Sequence, residues 1–285
     1  MKQIVLDDFS IGDGAPFVLI AGPCVIEEEQ ETKDIAFFLK ELTLRLGIPF
    51  IFKASYDKAN RSSLSSFRGP GIRSGLSILG KIKEELDIPI LSDVHRFEEI
   101  KDACDILDVV QVPAFLCRQT DFVVEVARKA RIINIKKGQF LSPEEVGNVI
   151  QKASSTGNEN IMITERGTSF GYNNLIVDFR SFPVIRKMGY PLIFDGTHSA
   201  QLPGGAGETS GGQRDMVPYL CKAAVAVGVD GIFLEVHPDP ERAQCDGPNS
   251  LYLSSLHDFL STLKEIDRLV KRQNSMTTGA YSMCT

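Results

Sequence analysis

No apolar run in the 285 residues approaches the roughly 18 that a membrane span needs, and the first twenty residues contain no basic stretch leading into an apolar one. The chain is therefore expected to be soluble and cytoplasmic, with no membrane partner. Positive charge is also in short supply. Lys and Arg number 31 against 37 Asp and Glu, a net −6 with histidines neutral, so the mean surface field repels nucleic acid and acidic lipid. An anionic ligand would have to be held by a local basic cluster. The six cysteines (Cys24, Cys104, Cys117, Cys221, Cys245, Cys284) lack a paired spacing such as C-x-x-C, and a chain this long has no need of disulfide staples. They are expected to be reduced, and any one of them reads equally as a buried apolar filler. No internal repeat and no linker interrupts the sequence. With 43% hydrophobic residues it can bury one large core, and a single domain over 1–285 is the expectation.

What is present is a regular alternation. Short runs rich in Ile, Val, Leu and Phe occur at Phe17 to Val25, Ile48 to Ser55, Ile88 to Val94, Val109 to Phe115, Ile132 to Lys136, Asn160 to Glu165, Pro191 to Asp195 and Gly231 to Val236. Amphipathic stretches follow them: Glu27 to Leu46, Gly71 to Leu86, Phe97 to Ala103, Thr120 to Ala130, Pro143 to Ala153, Phe179 to Met188, Arg214 to Val227 and Ser254 to Arg272. Fully apolar strands separated by helices are the pattern of a parallel sheet with crossover connections. Some helices carry start signals, as at Ser142-Pro-Glu-Glu145, where a hydroxyl cap, an early proline and first-turn carboxylates agree with the dipole. Eight β/α units predict an α/β fold, the closed (β/α)8 TIM barrel; a doubly wound open sheet is the alternative, because strand number alone does not prove closure. Ile4-Val-Leu and the Gly12-Asp-Gly turn predict a short N-terminal hairpin (1–15) capping the barrel floor, and 274–285 reads as a flexible tail.

Parallel barrels place their chemistry at the carboxyl ends of the strands. Polar residues follow nearly every apolar run: Cys24; Lys53 and Lys58 to Ser63; Asp93 and His95; Gln111; Lys136, Lys137 and Gln139; Glu165 and Arg166; Asp195 and His198; Glu235, His237 and Asp246. Lys53, Lys58, Arg61, Lys136, Lys137 and Arg166 would all face one mouth, and a positive focus in an acidic protein suits a small polyanion such as a sugar phosphate. Each lysine alone reads as an ordinary solvated charge. Cys24, His198, Glu235 and Asp246 come from strands that become neighbours only if the barrel closes, and their thiol, imidazole and carboxylates suit a divalent transition ion. Singly, Cys24 reads as a packed strand residue and His198 as a hydrogen-bonded loop histidine; His95, His237 and His257 keep that plain reading. The glycine-rich stretch Gln201 to Gly212 has the length of a mobile lid or of a plain connector, and lacks the G-x-x-x-x-G-K-[ST] spacing of a P-loop.

Several segments together resemble the 3-deoxy-D-manno-octulosonate 8-phosphate synthases. They are Ile20-Ala-Gly-Pro-Cys24, Phe52-Lys-Ala-Ser-Tyr-Asp-Lys-Ala-Asn-Arg-Ser-Ser63, Phe67-Arg-Gly-Pro-Gly71, Pro113-Ala-Phe-Leu-Cys-Arg-Gln-Thr120, Lys136-Lys-Gly-Gln-Phe140, Glu165-Arg-Gly167, Phe194-Asp-Gly-Thr-His198, Glu235-Val-His-Pro238 and Asp246-Gly-Pro-Asn249, collinear from about residue 17 to 270. Lys58-Ala-Asn-Arg-Ser-Ser63 is the most specific of them, since the related 3-deoxy-D-arabino-heptulosonate 7-phosphate synthases, which use erythrose 4-phosphate, carry a Lys-Pro-Arg-Thr type sequence there. The resemblance implies a transferase that condenses phosphoenolpyruvate with arabinose 5-phosphate and water, a step toward the lipopolysaccharide inner core.

Residue by residue, the resemblance places Lys53, Lys58, Lys136 and Arg166 at the phosphoenolpyruvate carboxylate and phosphate, with Gln111 and Gln139 beside them. Asn60, Arg61 and Ser62 are implied to hold arabinose 5-phosphate, with Asp93 near its hydroxyls. Phe115 and Arg118 match a loop that reaches a neighbouring subunit's site in family homotetramers. Cys24, His198, Glu235 and Asp246 match the ligands of one divalent metal ion, which could be zinc, iron, manganese, cobalt or cadmium; family members that work without metal have asparagine in place of Cys24. The catalytic set is then expected to be His198, Lys58, Asp246 and Asn60. Lys136-Lys-Gly-Gln139 departs from the Lys-Lys-Pro-Gln of some members, with no functional consequence expected. A non-catalytic sugar-phosphate sensor is the reading from a different class, against which the four ligand-type residues speak.

Overall fold

The computed structural model describes residues 1–61, 63–204 and 211–281, with side chains to residue 273. Ser62, the middle of the glycine-rich stretch (205–210) and the end of the tail (282–285) lie outside the described residues. Eight strands, β1 (Val18–Gly22), β2 (Phe50–Lys53), β3 (Ile90–Asp93), β4 (Val109–Val112), β5 (Ile132–Lys136), β6 (Ile161–Glu165), β7 (Leu192–Asp195) and β8 (Gly231–His237), pair in parallel in chain order. Strand β8 pairs with β7 through Ile193↔Gly231 and with β1 through Gly231↔Val18, so the ring closes and the open-sheet alternative is excluded. The surrounding helices are α1 (Glu29–Leu46), α2 (Ile72–Leu86), α3 (Phe97–Ile106), α4 (Thr120–Lys129), α5 (Val146–Ser154), α6 (Ser181–Arg186), α7 (Val217–Val227) and α8 (Leu256–Tyr281). Among the described residues no helix is long and apolar enough to cross a membrane.

Local chemistry sets the boundaries. The run expected to extend to Phe115 stops at Val112, because Pro113 has no N–H for the ladder and Ala114–Leu116 wind into a 3₁₀ turn. The start signal at Ser142 acts one turn before the regular helix: Ser142 Oγ accepts from the Glu145 amide at 3.3 Å while Glu145 Oε2 accepts from the Ser142 amide at 2.9 Å, a reciprocal capping box. Helix α8 was expected to end at Arg272 and runs on to Tyr281, since no proline stands in the way. The backbone of 274–281 is thus helical rather than an irregular tail.

The two faces of each strand have different fates. Leu19, Phe52, Val110, Ile133, Ile163, Phe194 and Leu234 point outward into one cluster with the helices. Val18, Ile20, Ile51, Leu91, Val109, Ile132, Met162, Ile193 and Phe233 point inward. The N-terminal hairpin (Ile4–Leu6 with Phe9–Ile11) drives Ile4, Leu6 and Ile11, all 0% exposed, into that interior from the floor. Burial of each such side chain is worth about 1.5–3 kcal/mol. Gly12, at φ 94°, ends the hairpin where a Cβ would stand 2.7 Å from the Lys2 carbonyl oxygen.

Candidate active site

Following the inward face up each strand by twos changes its chemistry. Ile51 is followed by Lys53, Leu91 by Asp93, Val109 by Gln111, Ile132 by Asn134 and Lys136, Met162 by Thr164, Ile193 by Asp195 and Phe233 by Glu235. Period-two alternation therefore carries every one of these polar groups into the barrel at its carboxyl end, above a sealed apolar floor. Gly22 allows β1 and β2 to meet closely there, since a Cβ would lie 1.9 Å from the Lys53 carbonyl oxygen.

One cavity opens at this rim. Its wall includes Lys53, Lys58, Asn60, Arg61, Asp93, Gln111, Phe115, Lys136, Gln139, Arg166, His198, Glu235 and Asp246. Cys24 lies immediately behind the wall, its Sγ 3.4 Å from Asp246 Oδ2. Arg118 does not join them: it is exposed, and its carbonyl accepts from Lys152. Lys137, expected at the mouth, is a correction. One residue past Lys136, it points to the opposite face, where its ammonium meets Thr168 Oγ1 at 3.2 Å and Glu165 at 3.5 Å. His95, read from sequence as an ordinary histidine, is part of the wall, with Nε2 against the Asp57 carbonyl at 2.9 Å.

Charge in the cavity is paired but unevenly spread. Glu235 is fully buried, with Oε1 2.6 Å from Lys53 Nζ and 3.5 Å from Lys58 Nζ. Burial opposes its ionisation, yet Lys53, His198 and Lys58 hold it well below the usual carboxylate range. Asp93 is held low in the same way: burial opposes its charge, and Lys58 and Lys53 prevail. Burial pushes Lys136 down to about 8 despite its ion pair with Asp195. The ammonium also sits 3.3 Å from the centre of the Phe233 ring. Lys58 moves the other way: burial opposes its charge, but Cys24, Glu235 and Asp93 hold it well above the ordinary lysine value.

Several contributors had no role assigned from the sequence. Asp195, completely buried, accepts from the His198 ring at 2.7 Å, from the His198 amide at 2.9 Å and from Thr197 Oγ1 at 3.1 Å, while also pairing with Lys136. Its carboxylate thus fixes His198 so that Nε2 faces Glu235 and Asp246, each 3.6 Å away. Thr164 donates to Asn134 at 2.7 Å, Asn134 to Gln111 at 2.8 Å, and Gln111 to Asp93, so a hydrogen-bonded chain crosses four strands. Gln201 accepts from Arg166 at 2.9 Å and donates to Asp246 at 3.3 Å. Parity within the strands could have found Asn134 and Thr164; nothing local marks Gln201.

The donors fit a metal ion. His198, Glu235 and Asp246 place ligand atoms within 4.8 Å of one another, and Cys24, Cys245 and Asp246 form a second such group. Glu235 Oε2 is buried without a hydrogen-bond partner among the described residues, as a ligand oxygen facing an ion would be. Sulfur, imidazole and carboxylate donors together suit a divalent transition metal.

Comparison with known proteins points to one family. The model of the DAHP synthetase I family matches residues 2–272. A 2-dehydro-3-deoxyphosphooctonate aldolase of Geotalea uraniireducens is 60% identical over 271 residues, covering 95% of this chain and 100% of that protein. Proteins of the same name from Geotalea daltonii and Desulfosudis oleivorans are 59% and 60% identical, covering 95% of this chain and 100% and 97% of their own lengths.

Proposed function

The chain belongs to the DAHP synthetase I family, and from that premise we propose that it condenses phosphoenolpyruvate with D-arabinose 5-phosphate and water to give 3-deoxy-D-manno-octulosonate 8-phosphate and phosphate. The name its relatives carry, 2-dehydro-3-deoxyphosphooctonate aldolase, favours this product over the heptulosonate made from erythrose 4-phosphate. The observation that carries the reading is the division of cations around one ring. Lys136 and Arg166 rise from β5 and β6, whereas Arg61 follows β2, which lies four strands from β6 in the closed barrel, and Lys53 and Lys58 stand together at Glu235. Two anionic substrates thereby find separate berths that face each other.

Lys53, Lys58, Lys136 and Arg166, with Gln111 and Gln139 beside them, hold the carboxylate and phosphate of phosphoenolpyruvate. Asn60, Arg61 and Ser62 hold arabinose 5-phosphate, with Arg61 and Ser62 at its phosphate, and Asp93 meets its hydroxyls. Pre-charged walls lower the cost of seating two polyanions side by side, and fixed orientation can supply several kcal/mol of the barrier, roughly the gain of other oriented reactions. C3 of phosphoenolpyruvate then bonds to the aldehyde carbon, water adds at C2, phosphate leaves, and the aldehyde oxygen takes up a proton. Lys58, kept charged by Cys24, Glu235 and Asp93, is assigned to the developing oxygen charge. Asn60 orients the aldehyde, and the low-lying carboxylate of Asp246 is assigned to the attacking water.

Cys24, His198, Glu235 and Asp246 would hold one divalent ion (zinc, iron, manganese, cobalt or cadmium), which when bound would polarise the aldehyde or a water. We assign the chain to the cytoplasm as a homotetramer, with Phe115 and Arg118 reaching a neighbour's mouth; the exposure of both side chains supports this. Phosphate release measured with each aldose, before and after chelation, tests the proposal. Strong preference for the pentose phosphate and loss on chelation are expected. Equal use of the tetrose phosphate would favour heptulosonate synthesis, and no release with either sugar would leave a sugar-phosphate sensor.

A further inference from the structure

We propose that Cys245 is an additional ligand of the metal site, so that the ion is held by two thiolates rather than one. The inference rests on the reading above that Cys24, His198, Glu235 and Asp246 bind a metal, and extends it to a residue outside that set. Cys24 Sγ and Cys245 Sγ stand 2.9 Å apart, both buried, and Cys24 Sγ is 3.4 Å from Asp246 Oδ2. Asp246 belongs to both clusters of ligand atoms, one completed by the two thiols and the other by His198 and Glu235. Asp246 is thus the residue through which an ion could join the two groups, and five-coordinate sites are within the repertoire of zinc-like ions.

Two further features favour sulfur ligation at Cys245. Arg61 Nη1 donates to Cys245 Sγ at 2.7 Å, which holds the sulfur at the edge of the ligand cluster. The sulfur is fixed by its place in the chain, since Asp246 beside it takes the uncommon φ of 50° and its carbonyl accepts from the amides of Asn249 and Ser250, both at 3.0 Å. Without an ion, Cys24 Sγ donates to Cys245 Sγ; a divalent ion would replace that contact with two metal–sulfur bonds. The charge balances locally, because Lys53, Lys58 and Arg61 all border the anionic set. Two soft donors would bias the site toward zinc or cadmium over manganese.

Cobalt(II) titration of the metal-free protein, kept reduced with a phosphine, reads thiolate ligands directly as near-ultraviolet sulfur-to-cobalt charge transfer. Wild type should show about twice the intensity of Cys245→Ser or Cys24→Ser, and the double variant none, because each ligating thiolate adds its own transition. In Cys245→Ser the preference for cadmium over manganese should fall by about tenfold or more. A Cys245→Ser spectrum equal to wild type would overturn the inference while leaving the metal reading intact. Failure of wild type to take up cobalt at all would overturn both.

Discussion

Asp195→Asn is the substitution whose consequences can be worked furthest. The change keeps the side chain's shape and its oxygen toward the His198 amide and Thr197, but turns an acceptor toward Lys136 and the His198 ring into an N–H donor. His198 Nδ1 must then accept, which puts its proton on Nε2, the atom facing Glu235 and Asp246. Loss of the carboxylate behind a ligating imidazole lowers metal affinity about 10–100-fold. Lys136 loses its counter-ion at the same time. Removing one partner of a buried pair costs about 3–5 kcal/mol if the survivor stays charged. Lys136, already pushed down to about 8, avoids much of that cost by releasing its proton. A neutral lysine forfeits a charge-assisted bond to substrate phosphate worth about 1.5–3 kcal/mol, roughly a 10–150-fold rise in KM for phosphoenolpyruvate. The KM for arabinose 5-phosphate should stay within about threefold, since its berth lies across the barrel. Competition against a metal indicator, steady-state kinetics with each substrate varied, and thermal melting are the assays. A variant that melts like wild type and keeps both its metal affinity and its phosphoenolpyruvate KM within about twofold would refute the reasoning.

The low value of Lys136 also sets a pH dependence: its ammonium is lost as pH rises through about 8, so kcat/KM for phosphoenolpyruvate should decline there, and Lys136→Arg should remove that inflection whatever its residual rate. Because an unfolded lysine keeps its proton to about 10.5, the same group makes folding stability increase with pH between about 8 and 10.5, which denaturant melts across that window will register. Arg61→Ala should raise the KM for arabinose 5-phosphate by about 10–150-fold with little change for phosphoenolpyruvate; a selective loss of phosphoenolpyruvate affinity would reverse the berth assignment. Leu6→Ala, in the hairpin far from the mouth, should cost about 2–5 kcal/mol in urea unfolding with kcat nearly unchanged in the protein that remains folded.

The architecture was largely legible because each barrel strand is buried on both faces and therefore reads as an unbroken apolar run. Seven of the eight runs contain their strands and the eighth strand runs one residue further, to His237; the fourth strand ends early where Pro113 intervenes. Site positions were legible from the same runs as the polar residues that terminate them. What escaped was whatever depends on parity or distance in space. Lys136 and Lys137 are alike in composition, yet adjacent strand positions face opposite ways, so only one reaches the cavity. Asn134 and Thr164 were hidden inside strands counted as apolar, although they share a face with Ile132 and Met162 respectively. Cys245 looked like one scattered thiol among six because its partner, Cys24, is 221 positions away along the chain.

The hairpin stopper gives the barrel a single door. With the lower end plugged by Ile4, Leu6 and Ile11, reactants and products share one corridor, and depth becomes a queue. Lys53 and Lys136 lie deep in the cavity, only 1% and 5% exposed, whereas Asn60 sits in the open at the threshold. A sugar that docked first would stand in the way of the smaller acid, so the proposed berths impose a sequence of arrival in which phosphoenolpyruvate comes before the pentose.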